Sequence, residues 1–211
     1  MDAATLQSKV YSGYAKAALR MGLPFDVYRS AGLLTPIAIG NKVHTGLLAS
    51  FTTGMQYSAY NKPTKPDWIG ILDGSQVQLG DWLVGVNDTF WIADMQPLLP
   101  IAAAQANRTV SIMRPSYTTT APMEAQETAI ATALPVFMQT KRDVGSAPPD
   151  FPTRTNSEAA VPKWTTWINA HAVGQILKND VMVDENGERY VIDSPDLTSF
   201  GYICLSHIEK P

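Results

Sequence analysis

The feature that most constrains this chain is internal repetition. A shift carrying Asp81 onto Asp180 brings two stretches into register without a gap. Pro63 then meets Pro162, Trp68 meets Trp167, Val77 meets Ile176 and Leu83 meets Met182. Asn87 meets Asn186, Trp91 meets Tyr190, Ile92 meets Val191 and Asp94 meets Asp193. After a short gap, Ile112-Met113-Arg114-Pro115 meets Ile208-Glu209-Lys210-Pro211. Each block follows one grammar. An aspartate ends a turn, an apolar strand follows (Trp82-Leu83-Val84 or Val181-Met182-Val183), and a polar turn centred on Asn87 or Asn186 reverses it. Asn186-Gly187 is the strongest two-residue hairpin signal, since both residues accept positive φ. The return strand is Thr89 to Ala93 or Arg189 to Ile192, and a third strand is expected at Thr109 to Ile112 and at Gly201 to Leu205. A three-stranded meander is too small to stand alone, so the units must pair or close.

The predicted fold is therefore mainly β, with two related small β-barrel or sandwich-like units, an N-terminal amphipathic helix and extended linkers. The expected divisions are a helical arm over 1–24, a first β-domain over 25–115 and an extended linker with one strand over 116–162. A second β-unit over 163–211 repeats 64–115. In the helix, Leu6, Val10, Tyr14, Ala17 and Met21 recur at spacings of three and four, and Gly22 and Pro24 supply the stop. Leu6, Val10, Tyr14 and Met21 are the expected interaction face. Two uses of that face are open, docking on the chain's own β-body and lying on a neighbouring subunit. Asn61 to Pro66 reads as stiff punctuation, and Ser146 to Thr153, with Pro148, Pro149 and Pro152, as a linker without a core.

Composition limits the surface. Hydrophobic residues make up 45% of the 211, but charged residues only 17%, against about 25% in an average soluble domain. Interface cores are depleted in charge, so this surface suits a protein covered by neighbours, and also a monomer rich in Ser, Thr and Gln. The net charge of −3 gives no global basic field for nucleic acid. Four cations on the first unit, Lys62, Lys65, Arg108 and Arg114, read as a solvated face. No basic region followed by an apolar core opens the chain, and no apolar run approaches the roughly 18 residues of a membrane span. Synthesis in the cytoplasm without membrane association is the expectation.

The residues that carry chemistry are sparse. His44, His171 and His207 have no metal-ligand spacing. The single Cys204 sits in an apolar run and reads as a small core residue. No nucleophile elbow, phosphate loop or dinucleotide fingerprint is present. Asp184-Glu185-Asn186-Gly187 is a hairpin turn, because Met182 would stand at the first position of a calcium loop. Asp81 and Asp180 are explained by side-chain hydrogen bonds to their own turns. No catalytic residue, cofactor or metal is expected. Trp68, Asp81, Asn87, Trp91, Trp167, Asp180, Asn186 and Tyr190 are the core and turn positions that define the repeat.

Leu6-Gln7-Ser8-Lys9-Val10, Gly13 to Ala18 and Pro24-Phe25-Asp26-Val27-Tyr28-Arg29 resemble small virion proteins of tailed bacteriophages. Gly80 to Val84, Met95 to Ile101 and Asn107 to Pro115 are similar to segments common in that group. The resemblance covers residues 1–115 and, through the repeat, the end of the chain, with no catalytic signature. It implies a virion component of the head, neck or tail, with β-barrel or β-sandwich units forming an oligomeric ring. A neck or head–tail connector is the first choice, and a baseplate or tail protein the second. The implied partners are further copies of the chain and adjacent phage structural proteins, with non-specific proximity to DNA where a ring encloses its path. A different class, a carbohydrate- or peptide-binding module, would use Trp68, Trp82, Trp91, Trp164 and Trp167 as exposed aromatics instead of core anchors.

Overall fold

In the computed structural model, which describes residues 2–32, 34–52, 66–117, 125–140 and 163–209, twelve strands close into two barrels. The first comprises β1 (Leu23–Tyr28), β2 (Lys42–Thr52), β3 (Asp67–Leu72), β4 (Trp82–Val84), β5 (Thr89–Asp94) and β6 (Ile101–Ala106). The second comprises β7 (Arg108–Tyr117), β8 (Ala125–Thr140), β9 (Lys163–Ile168), β10 (Val181–Asp184), β11 (Arg189–Thr198) and β12 (Gly201–Ile208). Around the barrels the orders are β1-β2-β3-β6-β5-β4 and β7-β8-β9-β12-β11-β10, which is one topology used twice. Closure leaves each core with no sheet edge to protect.

The likeness extends to irregularities. The β1–β2 register shifts between Phe25 and Val27 and again before Tyr28; the β7–β8 register shifts between Val110 and Ile112 and again before Met113. At the first shift Gly46 (φ 71) and Ala133 (φ 49) take left-handed backbone. Each N–H is held by the matching strand residue, Gly46 by Asp26 Oδ1 and Ala133 by Ser111 Oγ. A third shift follows Ile92 in β5 and Ile192 in β11. Bulges of this kind bend strands into a barrel.

These pairings revise the sequence register. The gapless match is right from Val77/Ile176 to Val84/Val183. In the preceding strand the equivalent of Trp68 is Trp164, not Trp167, because β3 and β9 share one burial pattern and the β9–β10 connection is longer. After the hairpin Phe90 matches Tyr190 and Trp91 matches Val191, since the second turn has an extra residue. The third strand of the first meander is β6, not Thr109 to Ile112. Its Ile101-Ala102-Ala103-Ala104 run lacks the β-branched signature of a strand, yet it pairs with β3 and β5. Arg108–Tyr117 opens the second barrel. The divisions at 115 and 163 therefore fall within that barrel, and the strand expected inside a linker is β8, a barrel stave. Pro135 is accommodated there next to the bulge. β1 and β2 complete the first barrel. The proposed equivalence of Pro63 with Pro162, the Lys62 and Lys65 positions and the Pro-rich stretch at 146–153 lie outside the described residues.

The barrel interiors are mainly apolar, with Thr166 and Ser206 buried in the second. Phe25, Val27, Leu47, Ala49, Leu72, Leu83, Phe90 and Ile92 fill the first around Val77. Val110, Ile112, Leu134, Val136, Met182, Tyr190, Ile192 and Cys204 fill the second around Ile176. Helix α1 (Ala3–Met21) is capped by Asp2, which accepts the Thr5 N–H at 2.8 Å. It lies on β2 and β3 of its own barrel, with Ala18 buried and Tyr11 against Gly74.

The bulge geometry makes a direct prediction. Nothing lies within 4 Å of a Cβ placed on Gly46, so Gly46→Ala is expected to cost about 1 kcal/mol through backbone conformation alone. Ala133→Gly should gain up to about 1 kcal/mol. Urea denaturation of the two variants checks both signs.

Candidate functional site

Each barrel is fastened by one buried aspartate. Asp81 Oδ1 and Oδ2 accept Arg29 Nε and Nη2 at 2.8 and 2.7 Å, and Oδ2 also accepts the Gln78 N–H at 2.7 Å. Asp180 takes Arg114 Nε and Nη2 at 2.9 Å each and the Leu177 N–H at 2.7 Å. The carboxylates are 1% and 2% exposed, whereas the arginines stand at 36% and 37%. Hydrogen bonding to the aspartates raises both guanidinium pKa values. Each fork ties the first strand (Arg29 just after β1, Arg114 within β7) to the start of the fourth (β4 or β10). Gly80 (φ 84) and Asn179 (φ 70) precede the aspartates, and their N–H groups reach Ile92 and Ile192 carbonyls. Both forks hold their barrels together, and the second, Arg114 with Asp180, also borders a hollow of about 500 Å³.

The barrels meet through the outer face of β4, β5 and β6. Alternation sends Leu83, Phe90 and Ile92 inward and Trp82 and Trp91 outward. Trp82 and Trp91, with centroids 5.5 Å apart, are nevertheless 0% and 1% exposed because the second barrel covers them, together with Tyr28, Ala93 and Ala104. Among the described residues their indole N–H groups find no protein acceptor, so they act as apolar surface. Asn169 Nδ2 donates to the Gly80 carbonyl at 2.8 Å in a buried position. A Cβ on Gly80 would stand 2.4 Å from His171 Cβ. The Leu34 carbonyl accepts the Thr132 N–H at 2.8 Å. Asn107 alone separates β6 from β7, and its side chain bonds both ways with Met138 on β8.

Beside this seam lies an apolar cleft of about 480 Å³, lined by Trp68, Trp91, Ala102, Trp167, Phe200 and Ile203 among others. That volume and lining fall within the range of ligand pockets. Trp167 faces it from the outside of β9, stacked edge-on against Phe137 at 5.5 Å. The barrel mouths differ. In the first, Phe25, Phe51, Phe90 and Trp68 form an aromatic plug. In the second, Arg108 pairs with buried Asp184 at 2.6 Å and lies over Trp164, while Tyr190 donates to Glu188 at 2.7 Å. Burial is the main cause that raises the Tyr190 pKa.

The repeat-defining residues thus separate into roles. Asp81 and Asp180 are the fasteners. Asn87 and Asn186 sit at exposed turns, the latter donating its N–H to Asp184 Oδ1 at 2.9 Å. Tyr190 belongs to a barrel interior and Trp68 packs against the other, Trp91 belongs to the seam, and Trp68, Trp91 and Trp167 all border the cleft. Of the helix residues, Val10 and Tyr14 are half-buried, but Leu6 and Met21 are 40% and 58% exposed. Tyr11 and Ala18 join Val10 and Tyr14 on the less exposed side of the helix. The equivalence of Arg29 and Arg114 is not among the sequence expectations; its signal is an arginine two residues after Val27 and two after Ile112. Among the described residues no group of three or more His, Cys, Asp or Glu could hold a metal. No helix among them is long and apolar enough to cross a membrane. No family model matches the chain, and neither the curated proteins nor the solved structures contain a match.

Two outcomes are expected. Removing Arg29 strands a buried carboxylate, so Arg29→Ala should lower stability by about 2–3 kcal/mol, with part of the buried-pair penalty relieved by water reaching the exposed guanidinium site. Arg114→Ala should match it in denaturant titrations. Burial pushes the Cys204 thiol pKa up to about 12. The native thiol therefore stays protonated at mildly alkaline pH and should resist a disulfide reagent until denaturant exposes it.

Proposed function

We propose that this chain is a structural subunit of a tailed-phage particle. It assembles into a ring that joins neighbouring layers of the neck, between head and tail. The observation that carries the reading is the tandem itself. Two barrels of one topology are locked by a buried tryptophan seam, so one chain presents two related β-units as a single body. Such a body suits heterologous contacts that close under rotation. The low charge content supports it, as do exposed apolar side chains. Ile39 is 81% exposed, Val86 94%, Leu197 65% and Phe200 49%. Isolated exposed apolar residues are ordinary, but Val86 stands on the β4–β5 turn and Leu197 and Phe200 lie at the β11–β12 turn. A baseplate or tail location uses the same body.

The aromatic cleft favours one different reading, a module that binds a carbohydrate or an extended peptide between its barrels. The two readings differ in solution behaviour. Light scattering over a concentration series, alone and with purified connector proteins, is expected to give a ring mass or a complex with those partners. A monomer that ignores every such partner and changes its tryptophan emission with an oligosaccharide or peptide overturns the ring reading in favour of the module.

A further inference from the structure

The duplicated topology lets the two barrel mouths be compared position by position. The paired register shifts align Phe25 with Val110, so Leu23 stands where the second barrel has Arg108. The turns align in the same way. The Gly85 N–H donates to the Asp88 carbonyl, and the Asp184 N–H donates to the Glu188 carbonyl. Asp88 therefore matches Glu188, and Gly85 matches Asp184. The ring pair beneath each mouth is also shared. Trp68 meets Phe90 edge-on at 5.7 Å and 81°, and Trp164 meets Tyr190 edge-on at 5.5 Å and 73°. In the second barrel an internal cation completes the arrangement. The Arg108 guanidinium lies over Trp164 at 5.7 Å and pairs with Asp184 at 2.6 Å.

The first barrel keeps the rings and one carboxylate, but Leu23 puts an apolar group, 67% exposed, at the cation's position. A Cβ on Gly85 would stand 2.6 Å from the Phe25 ring, so the acid that holds Arg108 has no room here. Above the aromatic plug is a hollow of about 190 Å³, bordered by Leu23, Phe51, Trp68, Phe90, Gln105 and Asp88 among others. Among the described residues Asp88 is the only charged group in that lining. Its Oδ1 accepts Gln105 Nε2 at 2.8 Å, and it forms no ion pair with a described residue. Asp88 is exposed, and Phe51 and Trp68 are half-buried, so the site is reached from solvent. Aromatic faces attract cations, and a carboxylate without a cationic partner does the same.

We propose that the mouth of the first barrel binds an arginine side chain presented by another protein chain. The guanidinium takes the place against Trp68 that Arg108 takes over Trp164, and it donates to Asp88. Its methylene stem lies along Leu23 and Phe51. The template is within the molecule: one barrel holds its own arginine where the other leaves a hollow. A guanidinium suits the site better than an ammonium, because its plane stacks on an indole and its fork matches a carboxylate. The site stands whether or not the chain forms a ring.

The test titrates the isotope-labelled full chain with N-acetylarginine amide and follows the Trp68 indole N–H resonance, assigned through Trp68→Phe. A saturable shift is expected, with the uncharged isostere N-acetylcitrulline amide binding about fivefold more weakly. Asp88→Asn should weaken arginine binding about threefold. Leu23→Arg, which restores the internal cation of the second barrel, should abolish it. Asp67→Asn, on β3 outside the hollow, should leave it unchanged. Circular dichroism and thermal melts establish that each variant is folded, and both altered mouth positions are exposed. Equal binding of the arginine and citrulline amides overturns the proposal in favour of a plain apolar pocket. The absence of a saturable shift overturns it too, as does unaltered binding in the folded Asp88 and Leu23 variants.

Discussion

The buried aspartate at the start of the fourth strand is the constraint on which each barrel depends. A six-stranded barrel must join its first strand to its fourth to close, and the fourth is short: β4 contributes Trp82–Val84 and β10 contributes Val181–Asp184. Few ladder hydrogen bonds are available there. Asp81 and Asp180 add a bidentate arginine from the first strand and a backbone N–H from the preceding turn. Charge-assisted and forked bonds are the strong ones. A carboxylate this deeply buried is costly if left unpaired, so the same group that closes the barrel also specifies the register in which it closes.

Closure then decides what can face outward. With the interiors filled by their own side chains, the alternation of β4 and β5 leaves Trp82 and Trp91 on the outside of the first barrel. The second barrel removes them from water. That seam is strengthened by the one-residue hand-over at Asn107, which leaves no hinge between β6 and β7, and by the glycine at position 80, where His171 approaches too closely for any side chain. Divergence between the barrels is concentrated where duplication no longer constrains them. One mouth is plugged by phenylalanines and the other is held by Arg108, Asp184 and Tyr190, while the outer β4–β5 and β10–β11 faces exchange tryptophan for valine.

Much of this was legible in the sequence because turns and buried charges leave strong signals. The Asp81/Asp180 equivalence, the Asn-Gly hairpin and the apolar character of Cys204 were readable from residue type and neighbours. The mainly β architecture with a leading helix followed from periodicity. The strand register was less accessible, since one extra residue in a turn displaces every later match, as it does for Trp91 and Tyr190. β6 was hidden because an alanine run has neither bulk nor branching to mark it. The extent of the duplication was hidden for the same reason. β1 and β7 share only the spacing that ends in Arg29 and Arg114, and β2 and β8 share a bulge in which glycine has been replaced by alanine. The cleft and the seam join residues far apart in sequence, and no local pattern announces such a meeting.

We propose that a duplicated, rigid two-barrel body serves as a ring subunit. Electron microscopy of the protein, alone at high concentration and mixed with connector proteins, tests this most directly. The account predicts closed rings of uniform diameter. Isolated two-lobed particles under every condition would contradict it.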